Sequence, residues 1–315
     1  MRIKTLGIFL TKKCNFDCLY CCADTGRDGG DKLTSGELEN VINQAASLGA
    51  KAVCIAGEGE PLLDENLFSV CEHIRSLHMM PRVVTNMALI DYATASRLRS
   101  LGVALVCKLN SLQPATVDLL VGKKNSYVWR QYSYRGRQWM IPQPLKFLLE
   151  AGYQQPYQNI PSRRMLVLQS VATRYNTQDL VELARFTRAV SVGLDIETLL
   201  LPKKEEYRTQ LSLNREEEIK LYREVSAVLG VRYRLWSKCR CVFEENPFID
   251  SQGNIRYCFG WEKSAGNIRE KTLWGLHKEQ LSIKKKSSGI SPIINLRQHG
   301  FRQCRTRIAI NKTLS

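Results

Sequence analysis

An α/β fold built from repeated strand–helix units is what this sequence predicts, and three observations carry the prediction. Apolar runs of strand length recur at Leu6 to Leu10, Ala52 to Ala56, Arg82 to Thr85, Ala104 to Lys108, Met165 to Val171 and Ser191 to Glu197. Helix-start signals fall between and after them, and parallel strands need exactly such crossover helices. The chain of 315 residues is long enough for one large core plus a small appended module.

Each element has its own signal. The first strand runs into a cysteine-rich loop at Cys14, Cys18, Cys21 and Cys22. Thr34-Ser-Gly-Glu37 is a capping box that starts the first helix. The second strand is apolar throughout, as a strand buried on both faces should be, and ends in Gly57-Glu-Gly-Glu-Pro61. The third ends in Asn86 and Met87, the fourth in Leu109, Asn110 and Ser111, with Pro114 suited to a helical first turn. Asn214, followed by Glu216, Glu217 and Glu218, combines an N-cap with acidic residues that favour the helix dipole. Beyond about Arg234 the pattern changes to Cys239, Cys241, Cys258 and Cys304, with Asp250 to Cys258 reading as a hairpin turned at Gly253.

The spacing CxxxCxxC of Cys14, Cys18 and Cys21 supplies three thiolates, one short of the four that close a four-iron, four-sulfur cluster. One iron would stay open to a small molecule. A structural zinc site pairs its cysteines as CxxC or adds histidines, whereas His73, His78, His277 and His299 all lie far from the triplet. Disulfides need an oxidising compartment. The chain opens Met-Arg-Ile-Lys without an apolar leader, so the expectation is a reducing cytoplasm. No apolar run approaches a membrane span. Cys22 is either an alternative ligand or a small buried residue, and burial is the expectation.

The triplet, with Tyr20 just before its third cysteine, resembles the radical S-adenosylmethionine (radical SAM) superfamily. Gly57-Glu-Gly-Glu-Pro61 resembles the family's GGEP motif, with Glu58 standing where the first glycine would be. The resemblance implies a partial (β/α)6 barrel. It further implies a 4Fe-4S cluster held by Cys14, Cys18 and Cys21, and S-adenosylmethionine (SAM) contacted by Tyr20, Gly57, Glu58, Gly59, Glu60 and Pro61. The strand ends place Asn86, Lys108, Asn110 and Ser111 as candidates for the cosubstrate's ribose and carboxylate.

The C-terminal cysteines resemble the SPASM or twitch extension of radical SAM enzymes. That implies a small Cys-rich domain in which Cys241, Cys258 and Cys304 hold an auxiliary 4Fe-4S cluster. The closing CxxC is incomplete, because Phe301 occupies its first position. Cys239 is then either the fourth ligand or a free thiol that returns a hydrogen atom to the substrate; zinc is the alternative for the whole quartet. The expected boundaries are 1–212 for the core barrel, 213–237 for a helical linker and 238–315 for the auxiliary module.

The net charge of +16 is concentrated in two segments. Between Gly122 and Arg164, Lys123, Lys124, Arg130, Arg135, Arg137, Arg163 and Arg164 interleave with Tyr127, Trp129, Tyr132, Tyr134 and Trp139. Such a segment holds a nucleotide, a phosphorylated sugar or a single-stranded nucleic acid by charge and stacking, or it is an exposed helix and loop with snorkelling side chains. Lying between the fourth and fifth strands, it is expected to reach the barrel mouth. The second segment, with Lys284 to Lys286 and Arg302 to Arg307, reads as solvated surface or tail.

The functional expectation is a radical SAM oxidoreductase or epimerase acting on a polar, anionic small molecule such as a sugar, aminocyclitol or nucleotide derivative. It would be served by an external electron donor of flavodoxin or ferredoxin type. Maturation of a ribosomally made peptide is the alternative substrate class. A non-enzymatic iron–sulfur protein that binds nucleic acid is the third reading, disfavoured by the open three-cysteine site.

Overall fold

A computed structural model describes residues 3–23, 25–26, 31–155, 165–199, 205–231, 246–256, 264 and 266–286. In chain order the elements are β1 (Thr5–Phe9), α1 (Ser35–Ser47), β2 (Ala52–Ala56), α2 (Leu67–Ser76), β3 (Met80–Thr85), α3 (Tyr92–Ser100), β4 (Ala104–Lys108) and α4 (Pro114–Val121). There follow β5 (Trp129–Tyr134), β6 (Arg137–Pro142), α5 (Gln143–Glu150), β7 (Leu166–Ala172), α6 (Thr177–Ala189) and β8 (Gly193–Thr198). The last are α7 (Glu205–Leu211), α8 (Arg215–Leu229), β9 (Phe248–Ile249), β10 (Ile255–Arg256) and α9 (Leu273–Lys286). The fold is mostly parallel α/β, and all six predicted strands are present within one or two residues of their expected bounds.

The described residues of Met1–Cys14, Ala23–Val84 and Lys238–Cys304 form one compact unit, and those of Asn15–Cys22 and Thr85–Ser237 form another. In the first, β1, β2 and β3 run parallel, with Ile8 opposite Ile55 and Ile55 opposite Val83. Leu6, Ile8, Val53, Ile55 and Val83 are fully buried. Parallel strands covered by helices read as near-continuous apolar runs for this reason. Helix α1 starts at the predicted capping box, Thr34 receiving the N–H of Glu37 while the Glu37 carboxylate receives that of Thr34. It buries Leu38, Val41, Ile42 and Ala45 at helical spacing.

The same unit contains a pairing that the sequence did not reveal. β9 and β10 form the hairpin expected around Gly253, and β9 also pairs parallel with β1, Gly7 opposite Phe248. The rings of Phe9 and Phe248 pack at 5.9 Å. The hairpin assigned to the C-terminal module thus extends the first unit's sheet, because β1 had a free edge and a strand edge left unpaired is costly to bury.

In the second unit β4, β7 and β8 are parallel neighbours, with Lys108 opposite Gln169 and Gln169 opposite Asp195. Helices α6 and α8 contribute Leu183, Ala184, Phe186, Leu221, Tyr222 and Val225 to its core. Burying such a side chain contributes about 1.5–3 kcal/mol, before the entropy cost of ordering it. The central part of the basic and aromatic segment, Trp129–Pro142, is not the exposed helix and loop of the alternative reading. It folds as the antiparallel pair β5–β6, joined by a two-residue turn in which Arg135 and Gly136 have φ of 50° and 76°. Two successive positive φ values give the turn whose twist suits a hairpin, and the alternation of aromatics makes the pleated surface. Among the described residues no helix is long and apolar enough to cross a membrane.

Candidate active site

In the first unit the loop after β1 meets the turn after β2. A Cβ on Gly59 would sit 2.2 Å from the Lys13 carbonyl oxygen, so only glycine permits this backbone-to-backbone approach. The next residue uses the contact: the Glu60 N–H donates to Lys13 O at 2.7 Å. The Glu60 carboxylate, 2% exposed, accepts the N–H of Leu62 and caps the short 3-10 turn Pro61–Leu63. Gly26 N–H and Thr11 Oγ1 hold the same loop, the former donating to Lys12 O and the latter accepting from Lys13 N. Gly57, by contrast, would meet an added Cβ's neighbours at ordinary contact distance, 3.6 Å.

Glu58, which departs from the family pattern, is buried and turned to the β9–β10 hairpin. It accepts from Ser251 Oγ at 3.3 Å and lies 3.9 Å from Arg256 Nη1, while Arg256 Nη2 bonds Asp250 at 2.8 Å. Burial raises the Glu58 carboxyl above its ordinary range, Lys12 opposes that shift, and Asp250 adds to it.

In the second unit the cysteine loop is tied to the end of α4. Asp17 N–H and Leu19 N–H donate to Val121 O and Leu120 O, and Cys21 N–H donates to Cys18 O to close a turn. Phe16 lies edge-on to Tyr127 at 5.6 Å, the Tyr127 hydroxyl donates to Asn86 O, and the Asn86 amide donates to Asn15 Oδ1 at 2.6 Å. The Tyr20 hydroxyl accepts from Asn110 Nδ2 at 2.8 Å. Burial first, then the charge of Cys18, hold the Tyr20 phenol well above its ordinary pKa.

Of the strand-end candidates, Asn86 follows β3 while Lys108, Asn110 and Ser111 lie where β4 finishes, and the last two are bound inward. Asn110 also accepts the Val171 N–H at 2.8 Å, and buried Ser111 donates to Asp179 at 2.6 Å while accepting the Gln113 N–H. Lys108 Nζ lies 3.5 Å from Glu197 Oε2. Glu197, Asp195 and Gln169, the last bonded to Asp195 at 3.0 Å, were not anticipated. Their one signal was two carboxylates alternating with Leu194 and Ile196 along a strand.

Cys14, Cys18 and Cys21 are half-buried, and Cys22 is exposed. The expectation of a buried Cys22 is therefore corrected: the residue is exposed by surface area, although neighbouring atoms still desolvate its thiol and, with Cys21, raise its pKa to about 11. Among the described residues no group of three or more Cys, His, Asp or Glu side chains is gathered tightly enough to hold a metal ion. Cys239, Cys241, Cys258 and Cys304 lie outside the described residues, as do Arg163, Arg164 and Arg302 to Arg307.

The donor chemistry nevertheless suits an iron–sulfur cluster, with three sulfur ligands in one short loop and no histidine within it. The close approach at Gly59 ties the turn after β2 to the backbone of this same loop at Lys13. Residues 8–131 match the Radical SAM superfamily model. This segment is a radical SAM domain, and domains of this family use a 4Fe-4S cluster and SAM.

Two curated relatives are GTP 3′,8-cyclases. That of Psychromonas ingrahamii is 32% identical over 130 residues, covering 39% of this chain and 37% of the relative. That of Tolumonas auensis is 31% identical over 132 residues, with the same coverages. The chain thus spans under two fifths of the length of these relatives. Among solved structures, Streptococcus suis SuiB bound to S-adenosylmethionine superposes with a TM-score of 0.63 at 17% identity, covering 87% of this chain and 65% of that one. SuiB bound to precursor peptide SuiA gives 0.62 at 17%, covering 88% and 64%. The anSMEcpe structure with bound AdoMet and Cp18Cys peptide gives 0.60 at 15%, covering 86% and 80%. At these identities the likeness establishes the fold alone, a mostly parallel α/β sheet with helices.

Proposed function

We propose that the chain is a radical SAM enzyme that oxidises or epimerises a polar small molecule of the sugar, aminocyclitol or nucleotide class. The observation that carries the reading is that each unit holds one built loop of the matched motifs: the Cys18–Cys21 turn anchored on α4 in the second, and the glycine turn at Gly59 pressed against Lys13 in the first. Binding alone requires neither.

In this reading Cys14, Cys18 and Cys21 would hold the cluster as thiolates. Bound and reduced, the cluster would supply the one-electron reductive cleavage of SAM that leads to hydrogen-atom abstraction from the substrate. The residues of the chain bind and orient. Carbonyls of Gly57 to Pro61 receive the methionine ammonium, the Lys108 ammonium suits its carboxylate, and Asn86, Asn110 and Ser111 shape the strand ends around the nucleoside. Tyr20, kept protonated by burial, acts as a fixed hydrogen-bonding wall beside Cys18.

An auxiliary cluster on Cys241, Cys258 and Cys304, with Cys239 as fourth ligand, completes the proposal. It would take the substrate electron in an oxidation, whereas a free Cys239 thiol would return a hydrogen atom and invert a stereocentre. The nucleotide option gains support from the relatives named GTP 3′,8-cyclase. A peptide substrate is the second reading, favoured by SuiB bound to SuiA and anSMEcpe with its peptide. A flavodoxin- or ferredoxin-type protein would deliver the electron. The test is anaerobic iron–sulfur reconstitution and reduction with SAM, with products followed by mass spectrometry; no 5′-deoxyadenosine from fully loaded protein would defeat the reading.

A further inference from the structure

The tip of the β5–β6 hairpin and the last turns of α6 and α8 border an open surface cavity of about 580 Å³, lined by Tyr134, Arg135, Arg137, Arg185, Arg188 and Val228, among others. Helix α6 returns from the end of β7 to the start of β8, and Arg185 and Arg188 lie in its last two turns. The cavity therefore lies toward the N-terminal ends of the second unit's strands. Lys108, Asn110 and Glu197 occupy the other end. The basic segment expected at the barrel mouth thus presents its hairpin tip elsewhere, and the proposed radical chemistry leaves it unused.

Four guanidinium groups line this one cavity. Arg185 is paired with Glu182, and Arg188 donates to Val228 O. Among the described residues no carboxylate pairs with Arg135, Arg137 or Arg188. Like charges brought together repel and favour a bound anion. The arrangement is also held in place: Trp139 packs edge-on against Phe186 at 5.4 Å, fixing the hairpin on α6. Arg135 lies 5.3 Å over the Tyr134 ring, a cation–π contact that restrains its guanidinium. Tyr132 extends the aromatic surface, parallel to Tyr134 within 9°.

We propose that this cavity is a binding site for a phosphate-bearing small molecule of nucleotide size, anchored by Arg135, Arg137 and Arg188. Guanidinium forks match phosphate oxygens two at a time. A volume of about 580 Å³ exceeds what a lone inorganic anion fills and lies in the range of ordinary ligand pockets. The site goes beyond the proposed radical reaction and does not depend on it.

The test uses the full chain, titrated by calorimetry with ADP, ribose 5-phosphate and adenosine at low and moderate salt. ADP and ribose 5-phosphate should bind, adenosine should not, and affinity should fall with salt. Arg135→Gln and Arg137→Gln should each weaken ADP by about tenfold, the loss of one charge-assisted contact. Both side chains are exposed, so unchanged circular dichroism and Tm in the variants show that the fold persists. No binding of either phosphate probe, or equal affinity in both variants, would overturn the site. So would tight binding of a single-stranded RNA oligonucleotide without ADP binding, which would mark an extended nucleic-acid surface instead.

Discussion

The side chain of Asn110 donates to the Tyr20 hydroxyl at 2.8 Å and accepts the backbone N–H of Val171 at 2.8 Å, so one amide joins the cysteine loop to β7. Asn110 is 2% exposed. Asn110→Ala leaves a buried N–H and a buried hydroxyl without this partner, at about 1–3 kcal/mol each. Urea unfolding should show a loss of roughly 2–6 kcal/mol. Tyr20→Phe should cost about 1 kcal/mol, because the Val171 bond survives.

Gly57 and Gly59 separate two meanings of a glycine motif. Gly59→Ala forces a methyl to 2.2 Å from Lys13 O, so the turn must move and the Glu60–Lys13 bond must break. We expect destabilisation of roughly 1–3 kcal/mol and loss of 5′-deoxyadenosine formation. Gly57→Ala meets only ordinary contacts at 3.6 Å and should retain most of both. Equal activity of the two variants would remove Gly59 from the proposed cosubstrate site.

Cys18→Ala should abolish the proposed SAM cleavage while leaving any iron of the proposed auxiliary cluster in place. Cys22→Ala should leave both intact, since Cys22 is exposed and outside the CxxxCxxC spacing. Deoxyadenosine assays with iron and sulfide counts read both outcomes.

The auxiliary cysteines predict a metal inventory. Iron and sulfide should approach about eight of each per chain if both clusters are of the 4Fe-4S type. Stoichiometric zinc with about four irons would contradict the auxiliary cluster. Cys239→Ala should lower auxiliary iron if the thiolate is a ligand. If it is a hydrogen donor, iron content should hold and the product should change.

Glu37 links the α1 capping box to Arg269, whose Nε and Nη2 reach its carboxylate at 2.5 and 3.1 Å. The Arg269 bonds chiefly, with the Thr34 N–H next, lower the Glu37 pKa from 4.5 to about 2. A depressed carboxyl stabilises the fold above its unfolded pKa and loses that contribution as pH falls. The stability difference between the protein and Glu37→Gln should be constant above about pH 5 and vanish between 4.5 and 2. The pair is partly exposed, so the difference should be small and salt-sensitive. Urea midpoints across that range provide the measurement.

Much of the site was legible because it is local. Cys14, Cys18 and Cys21 follow one strand at fixed spacing, and Gly57 to Pro61 follow the next, so chain connectivity alone puts each group at a strand end. The roles of Asn110 and Ser111 were less legible. Asparagine and serine after a strand serve a ligand or a neighbouring backbone equally well, and only the positions of Val171, Tyr20 and Asp179 show which bonds each side chain makes. Glu58 was visible as a departure from the motif, but its reason, the Ser251 and Arg256 contacts, comes from residues nearly two hundred positions away.

By itself the sequence determined the α/β class, the order of the six parallel strands along the chain, the helix starts and the cysteine loop. Hydrophobic period, capping and ligand spacing are properties of neighbouring residues. Tertiary structure alone decided that β9 would pair with β1, that the basic segment would be a hairpin, and that Arg135, Arg137, Arg185 and Arg188 would line one cavity. These depend on which free strand edge or helix face is within reach once the chain has collapsed, and no local pattern encodes that choice.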